Sequence, residues 1–214
     1  MIVLGLIGGI ACGKSTVSQL FKELKAKVFS ADQIVHNLLA SPEILQQLTQ
    51  TFGPEILESN SQGQGQISRK KLGSLVFVHE EKLKTLNQLL HPPVLQELEK
   101  FLVQCKQEEN LLKTPLLVVL DIPLLMETDL HHRCDFLVFI DTPEPHRQKY
   151  AQLRGWLSDE IFRREQHQFS LQKKKEISHF ILSNSESLES LRQKVFQLNQ
   201  DIFQRYSEER KRLS

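Results

Sequence analysis

The motif GGIACGKS at residues 8–15 constrains the fold of this chain more than any other feature, because it has the spacing G-x-x-x-x-G-K-[ST] of a phosphate-binding P-loop. The apolar run 2–7 precedes it, as is typical of a strand buried on both faces of a parallel sheet. Apolar residues at helical spacing follow within 16–25. A strand, a glycine-rich turn and a helix in this order predict an α/β fold that binds a nucleotide.

The chemistry of such a loop depends on its backbone. We expect Gly8 and Gly13 to adopt angles that turn successive amides inward, at the positive end of the following helix. Lys14 would neutralise charge on the β- and γ-phosphates, and the Ser15 hydroxyl would bind Mg²⁺. The predicted nucleotide-binding residues are Gly9, Ile10, Ala11, Cys12, Gly13, Lys14, Ser15 and Thr16.

Further strand patterns complete the predicted core. Residues 27–30 predict a second strand and therefore a βαβ unit with a right-handed crossover. The buried-strand pattern returns at 116–120 and 136–140, and a last strand is predicted at 180–182. Apolar residues recur at helical spacing from 191 to 206 and predict a long amphipathic helix on the sheet.

Polar helical patterns replace the strand pattern from residue 33 to about 110, which predicts a helical insertion. Residues 59–66 are predicted to form a polar surface loop within this insertion.

Asp32 ends the second strand, where a carboxylate could accept the proton of an acceptor hydroxyl in line with the γ-phosphate. An aspartate that caps a helix at Gln33 explains the residue equally well. Thr142 is the predicted N-cap of a helix after 136–140.

An ordered set of motifs resembles the dephospho-CoA kinase family. Besides the P-loop, the set consists of Ser30-Ala31-Asp32, Val76-Phe77, His91-Pro92 and the sequence DIPLLME at 121–127. It spans residues 1 to about 190, and only the P-loop is generic. The resemblance implies a P-loop kinase with a parallel β-sheet core flanked by helices, a helical substrate-binding insertion and a lid.

The same resemblance implies a division of the chain and a reaction. The nucleotide-binding core would comprise 1–34, 110–145 and 177–214, the insertion that binds the CoA substrate 35–109, and the lid 146–176. The reaction would be ATP-dependent phosphorylation of the ribose 3′-hydroxyl of dephospho-CoA, the final step of coenzyme A synthesis. ATP and Mg²⁺ are the implied cofactors.

The resemblance also implies roles for residues outside the P-loop. Asp32 matches the acidic residue at the acceptor hydroxyl, as a general base or an orienting group. Asp121 would hold Mg²⁺ through water together with Ser15, although an aspartate that only starts a turn fits the pattern as well. His91 and Pro92 lie where the family binds its acceptor, but Pro92 also fits an ordinary helix start.

Eight basic residues between 147 and 175 make this segment locally cationic. A lid that closes over ATP would bring an arginine to the developing charge. By similarity to the family's lid, Arg154 is the predicted catalytic residue and Arg164 a second lid residue. Tyr150 stands where many relatives have another arginine, which Arg147 or nearby Lys149 would replace. The alternative is a helical hairpin whose lysines are solvated.

Composition and charge limit the class, location and partners that we expect for the protein. The 40% hydrophobic content disfavours a disordered chain, and the net charge of +1 gives no overall positive field that would attract nucleic acid or an anionic membrane. Three separated cysteines fit a reducing compartment, so we expect a cytoplasmic protein, and no apolar run approaches the roughly 20 residues of a membrane span. Cys12 at a helix N-terminus predicts a lowered thiol pKa and oxidation-sensitive activity. The expected partners are ATP and dephospho-CoA, without nucleic acid or membrane.

Two other functions stay open at this point. The first is another P-loop small-molecule kinase that acts on a nucleoside or nucleotide. The second is a non-catalytic, nucleotide-dependent protein that binds nucleic acid through the basic segments 147–175 and 205–212. The chain contains neither N-K-x-D nor D-x-x-G, which disfavours a guanine-specific switch GTPase. The sequence predicts no oligomeric state.

Overall fold

The computed structural model of the chain describes residues 1–59, 65–76, 78–155, 161, 165–166 and 168–213. The strands formed by these residues are β1 (Ile2–Gly8), β2 (Lys27–Ser30), β3 (Leu57–Ser59), β4 (Gly65–Ile67), β5 (Leu117–Asp121), β6 (Phe136–Asp141) and β7 (Phe180–Ser183). Their helices are α1 (Lys14–Glu23), α2 (Ala31–Leu39), α3 (Pro42–Phe52), α4 (Arg69–Val76), α5 (Glu80–Leu112), α6 (Glu144–Leu153), α7 (Leu171–Glu176) and α8 (Leu188–Leu213).

The chain divides into two compact units. The core unit comprises Met1–Ser30 and Gln104–Ser214, and the helical unit comprises Ala31–Val103. The helical unit overlaps most of the predicted insertion 35–109, whose role in substrate binding stays a prediction. No helix formed by the described residues is both long and apolar enough to cross a membrane.

The core unit is built on a five-stranded sheet in the order β2-β5-β1-β6-β7. All four neighbouring pairs are parallel. The central strand β1 is buried along its whole length, as its unbroken apolar sequence predicts. Because every strand runs in the same direction, the residues that follow β1, β5, β6 and β7 collect at one edge of the sheet. This edge carries the P-loop.

Helices α1 and α8 bury their apolar faces on the sheet. Val17 and Phe21 of α1 and Val195 and Ile202 of α8 belong to one buried cluster with β1, β5, β6 and β7 side chains. The predicted C-terminal amphipathic helix is thereby confirmed, and its bounds extend at both ends into segments that are mostly polar and carry no apolar periodicity.

The helical unit has an apolar core of its own. Leu48 of α3, Ile56, Ile67 of β4 and Leu90 of α5 are buried in one cluster. The strands β3 and β4 are antiparallel, with Leu57 paired to Ile67. The interpretation of 59–66 as loop is therefore wrong for residues 59, 65 and 66, and residues 60–64 lie outside the described residues. Three-residue strands contain too few alternating positions to be recognised from sequence.

Helix α5 continues through Pro92 and Pro93. The alternative in which Pro92 starts a helix is therefore wrong. A proline normally interrupts a helix interior, because its ring clashes with the preceding turn and it lacks an amide donor. His91 and Pro92 are exposed on this helix, and Pro93 is half-buried.

Candidate active site

The P-loop connects β1 to α1 through a backbone that favours glycine. Gly13 immediately precedes α1 with φ 91° and ψ 22°, in the left-handed region. A Cβ placed on Gly13 would lie 2.6 Å from Asn184 Nδ2. Ala11 also has a positive φ, 59°, and a side chain in this region costs on the order of 1 kcal/mol. Gly13 is therefore required by both conformation and space.

The N-terminus of α1 is open for an anion. Among the described residues no side chain caps it, and its first turn contains no acidic residue. Its amides therefore carry the partial positive charge of a helix N-terminus without an internal counter-charge. Lys14 is half-buried beside them, and Ser15 and Thr16 are exposed. The arrangement can receive phosphate oxygens, as the motif predicts.

Two buried side chains hold the middle of the loop from behind. Thr142 Oγ1 donates to the carbonyl of Cys12 at 2.8 Å, and Asn184 Nδ2 donates to the same oxygen at 2.9 Å. Thr142 is therefore not the N-cap of α6; Pro143 takes that position without a side-chain hydrogen bond. With its carbonyl held by two donors, the Cys12 peptide is fixed in orientation.

Arg147 contacts the first half of the loop. Its buried guanidinium donates through Nη1 to the carbonyl of Ile10 at 3.3 Å and pairs with Glu165. The Glu165 carboxylate in turn accepts from the amide of Ile10 at 3.0 Å. Arg147, predicted as a lid residue, thus lies on α6 with its charged end at the P-loop.

Lys174 is a further cation at the base of the loop. Its side chain is 3% exposed, and its Nζ lies 3.2 Å from Glu127 Oε1. Burial lowers the pKa of Lys174, and the nearby Glu127 carboxylate opposes this change. The alternative in which the lysines of this segment are solvated is therefore wrong for Lys174, although it describes the exposed Lys173.

Asp121 is the last residue of β5 and is buried. It pairs in register with Ser30, the last residue of β2. The β5 strand lies beside β1 in the sheet, and β1 leads into the P-loop. Asp121 therefore stands at the carboxyl edge of the same sheet from which the phosphate-binding loop arises.

The predicted acceptor-side residues lie in the helical unit. Asp32 is the exposed second residue of α2. Because α2 begins at Ala31, the alternative in which Asp32 caps a helix starting at Gln33 is wrong. His91 and Pro92 are exposed on α5.

Of the predicted lid arginines Arg154 and Arg164, the structure describes only the first. Arg154 is exposed and ends α6, where its amide bonds to the carbonyl of Ala151 at 3.0 Å. Arg164 lies outside the described residues. The lid boundaries 146–176 and the roles of both arginines stay predictions.

The expectation of a reactive Cys12 is wrong. Its side chain is only 1% exposed and packs in the core cluster. Burial raises the pKa of the Cys12 thiol, and the positive charge of nearby Lys14 does not overcome this effect. The helix N-terminus therefore does not produce a thiolate here, because the side chain points into an apolar environment.

Sequence reasoning missed several side chains that hold the P-loop. For two of them a signal was available, because Thr142 and Asn184 each directly follow a strand of the parallel sheet, β6 or β7. Polar residues at such positions collect at the carboxyl edge of a parallel sheet. Glu127 ends the motif DIPLLME at 121–127, but no local pattern distinguishes Glu165 or Gln168 from surface residues.

Comparison with known proteins identifies the family. The family model described as dephospho-CoA kinase matches residues 2–190. A dephospho-CoA kinase of Carboxydothermus hydrogenoformans is 36% identical over 200 residues, which cover 92% of this chain and 93% of that protein. One from Bartonella quintana is 32% identical over 203 residues, covering 94% and 98% of the two chains.

A solved structure shows the same relationship. The dephospho-CoA kinase from Campylobacter jejuni superimposes with a TM-score of 0.63 at 26% sequence identity, covering 94% of this chain and 97% of that one. The match thus includes the parallel sheet as well as the sequence motifs. With the P-loop set between β1 and α1 and the family match running from residue 2 to 190, this chain belongs to the dephospho-CoA kinase family.

Proposed function

We propose that this chain transfers the γ-phosphoryl group of ATP to the ribose 3′-hydroxyl of dephospho-CoA, which completes coenzyme A. The observation that carries the proposal is an uncapped helix N-terminus behind a P-loop, in a chain that matches this kinase family over residues 2–190. Phosphoryl transfer passes through a loose transition state, so catalysis rests on positioning and on neutralisation of charge. Each side chain with a proposed role supplies either positioning or charge neutralisation.

The P-loop binds the triphosphate of ATP. Residues Gly9 to Thr16 form the binding loop, whose amides donate to phosphate oxygens, and the Lys14 ammonium neutralises charge on the β- and γ-phosphates. The Ile10 amide takes part only when phosphate replaces the Glu165 carboxylate as its acceptor. Thr142 and Asn184 support this role, because they hold the Cys12 carbonyl and so fix part of the loop before ATP binds. A preformed loop needs no reorganisation when charge develops.

Ser15 and Asp121 hold magnesium. A hydroxyl and a carboxylate are hard oxygen ligands, which Mg²⁺ prefers, and it commonly keeps several waters as well. Asp121 at the end of β5 fits a ligand that acts through water. A magnesium ion held there would supply positive charge that neutralises part of the charge on the β- and γ-phosphates.

Asp32 orients the acceptor. Its carboxylate accepts the hydrogen bond of the 3′-hydroxyl and takes its proton as the bond to phosphorus forms. Its exposure in the first turn of α2 supports this role, since the side chain is accessible to a substrate. His91 and Pro92 belong to the insertion 35–109 that binds dephospho-CoA.

Arg154 stabilises the charge on the transferred group from a lid at 146–176, with Arg164 as a second lid cation. Arg147 replaces the arginine that relatives have at the position of Tyr150. Its buried guanidinium at the P-loop supports this assignment. The three free cysteines support a cytoplasmic location, because thiols persist in a reducing compartment.

An acceptor panel tests the proposal. The purified chain is incubated with ATP-Mg²⁺ and either dephospho-CoA, a nucleoside or a nucleoside monophosphate, and ADP release is followed in a coupled assay. We expect turnover with dephospho-CoA and only background rates with the other acceptors. Turnover on a nucleoside monophosphate without turnover on dephospho-CoA would contradict the proposal and favour a different small-molecule kinase.

A further inference from the structure

The buried ammonium of Lys174 joins three segments of the core unit. Its Nζ lies 2.7 Å from Gln168 Oε1, 3.2 Å from Glu127 Oε1 and 3.5 Å from the carbonyl oxygen of Gly8. Glu127 follows β5, Gln168 precedes α7, and Gly8 ends β1 at the start of the P-loop. The three donors of an ammonium group are thus matched by three oxygens from separate parts of the chain.

Stability alone does not explain this buried pair. A buried ion pair loses its hydration, and apolar residues of similar size often make a fold equally or more stable. Glu127 Oε1 also accepts from the amide of Phe169 at 3.0 Å. The charges therefore organise a particular backbone arrangement, in which the segment 168–169 is held near the end of β1.

The contact with Gly8 reaches the phosphate-binding loop directly. Because a peptide bond is planar, the orientation of the Gly8 carbonyl also sets the direction of the Gly9 amide. The charge of Lys14 contributes to the lowered pKa of Lys174, so the two ammonium groups lie within electrostatic range. A bound triphosphate would reduce the repulsion between them.

We propose that Lys174 is a positioning residue of the phosphoryl-transfer site, which holds the Gly8–Gly9 peptide at the entrance of the P-loop. Through Gln168 and Glu127 it also fixes the segment 168–169 to that entrance. The inference rests on the proposed function, because it assumes that the P-loop binds ATP for transfer. We therefore expect Lys174, which lies outside the P-loop motif, to affect the binding and use of ATP and not the binding of the acceptor.

The test uses Lys174→Met, which keeps most of the unbranched side chain and removes its ammonium group. This variant leaves Glu127 buried without its cation, which destabilises the fold. The double variant Lys174→Met/Glu127→Gln removes both charges and keeps an oxygen for the amide of Phe169. Glu127→Gln alone separates loss of the carboxylate from loss of the ammonium. Lys175→Met is the matched control, because Lys175 neighbours Lys174 and its ion pair with Asp141 is half-exposed at 2.9 Å.

We expect kcat/KM for ATP to fall about 10- to 100-fold in Lys174→Met and in the double variant, because a small displacement of a binding group has effects of this size. The KM for dephospho-CoA should stay within about twofold, and the double variant should regain the thermal stability that Lys174→Met loses. Lys175→Met should keep kcat/KM for ATP within about threefold, and Glu127→Gln should lose clearly less than Lys174→Met, because the ammonium still contacts the Gly8 carbonyl.

Three results would overturn the inference. One is wild-type kcat/KM for ATP in the double variant, which would mean that Lys174 only neutralises Glu127. Another is an equal rise of KM for both substrates, as general loosening predicts. The third is a loss of ATP kinetics in Glu127→Gln as large as in Lys174→Met.

Calorimetric titration with ATP-Mg²⁺ separates failure of this inference from failure of the proposed function. If the wild-type chain binds ATP but does not phosphorylate dephospho-CoA, the proposed function is wrong. Weaker ATP binding in the double variant than in Glu127→Gln would still support a role for Lys174 in shaping the loop. Equal ATP binding in these two variants would refute that role.

Discussion

Asp32 is the single side chain on which the proposed treatment of the acceptor depends. Asp32→Asn keeps the size of the residue but removes the proton acceptor. We expect kcat to fall by about 10²- to 10⁴-fold, the usual contribution of a general acid or base. The affinity for ATP, measured by calorimetry, should stay nearly unchanged, because the P-loop binds the triphosphate.

Glu43 provides the matched control for Asp32. It is another exposed carboxylate in the first turn of a helix of the same unit, α3. Glu43→Gln should leave both kcat and ATP affinity at the wild-type level. Parallel losses of turnover and ATP binding in Asp32→Asn would show that Asp32 has a structural role instead.

The buried thiol of Cys12 should be unreactive in the folded protein. Because burial raises the pKa of its thiol, the reactive thiolate is even rarer near pH 7 than for an exposed cysteine. Iodoacetamide or peroxide should therefore leave the native enzyme active and Cys12 unmodified by mass spectrometry, while the unfolded chain reacts. Raising the pH toward the thiol pKa should increase the reaction. Loss of activity together with modification of Cys12 at pH 7 would contradict this view.

The residues of the P-loop were predictable because their spacing encodes one backbone shape. The motif predicted turning angles at Gly8 and Gly13. The φ of 91° at Gly13 agrees, whereas Gly8 is the last residue of β1 and has no positive φ. The burial of Cys12 was not predictable, since a motif specifies the backbone of the loop but not which side chains face the core. The same limit applies to Lys174, whose neighbours in sequence are also lysines.

At the scale of elements, α8 contributes strongly to the stability of the core unit. Ile202 is fully buried between this helix and the sheet. Ile202→Ala should lower the free energy of unfolding by about 2–5 kcal/mol, because it removes buried methyl groups and leaves a cavity. Chemical denaturation followed by circular dichroism measures the change.

Gln204 lies two positions further along α8 and is exposed, so Gln204→Ala is the control for Ile202→Ala. This control should change the free energy of unfolding by no more than about 0.5 kcal/mol. Equal effects of the two substitutions would mean that α8 does not derive its stability from the buried face.

The elements themselves were predictable where the apolar pattern is long. The apolar run of β1 is unbroken over enough residues to indicate a buried strand. The apolar positions of α8 recur at helical spacing over enough residues to indicate a helix. The antiparallel pair of β3 and β4 was missed because each strand has only three residues. The prolines of α5 suggested a boundary where the helix continues, because helix packing overrode a local preference.

The proposed function of the whole molecule requires a triphosphate site and an acceptor site in one chain. The core unit carries the P-loop with Asp121, and the helical unit carries Asp32, His91 and Pro92. The triphosphate site was predictable from a contiguous motif. The side chains that hold it were not, because they come from segments separated by more than a hundred residues, such as Cys12 and Asn184.

The regiochemistry of the product tests the central claim most directly. The wild-type chain and Lys14→Met are incubated with ATP-Mg²⁺ and dephospho-CoA, and the products are followed by phosphorus NMR. We predict that the wild type forms ADP and a new phosphate monoester coupled to the ribose H3′ in equal amounts, and that Lys14→Met forms almost none. Unchanged dephospho-CoA, or a phosphate on any other hydroxyl, would contradict the claim.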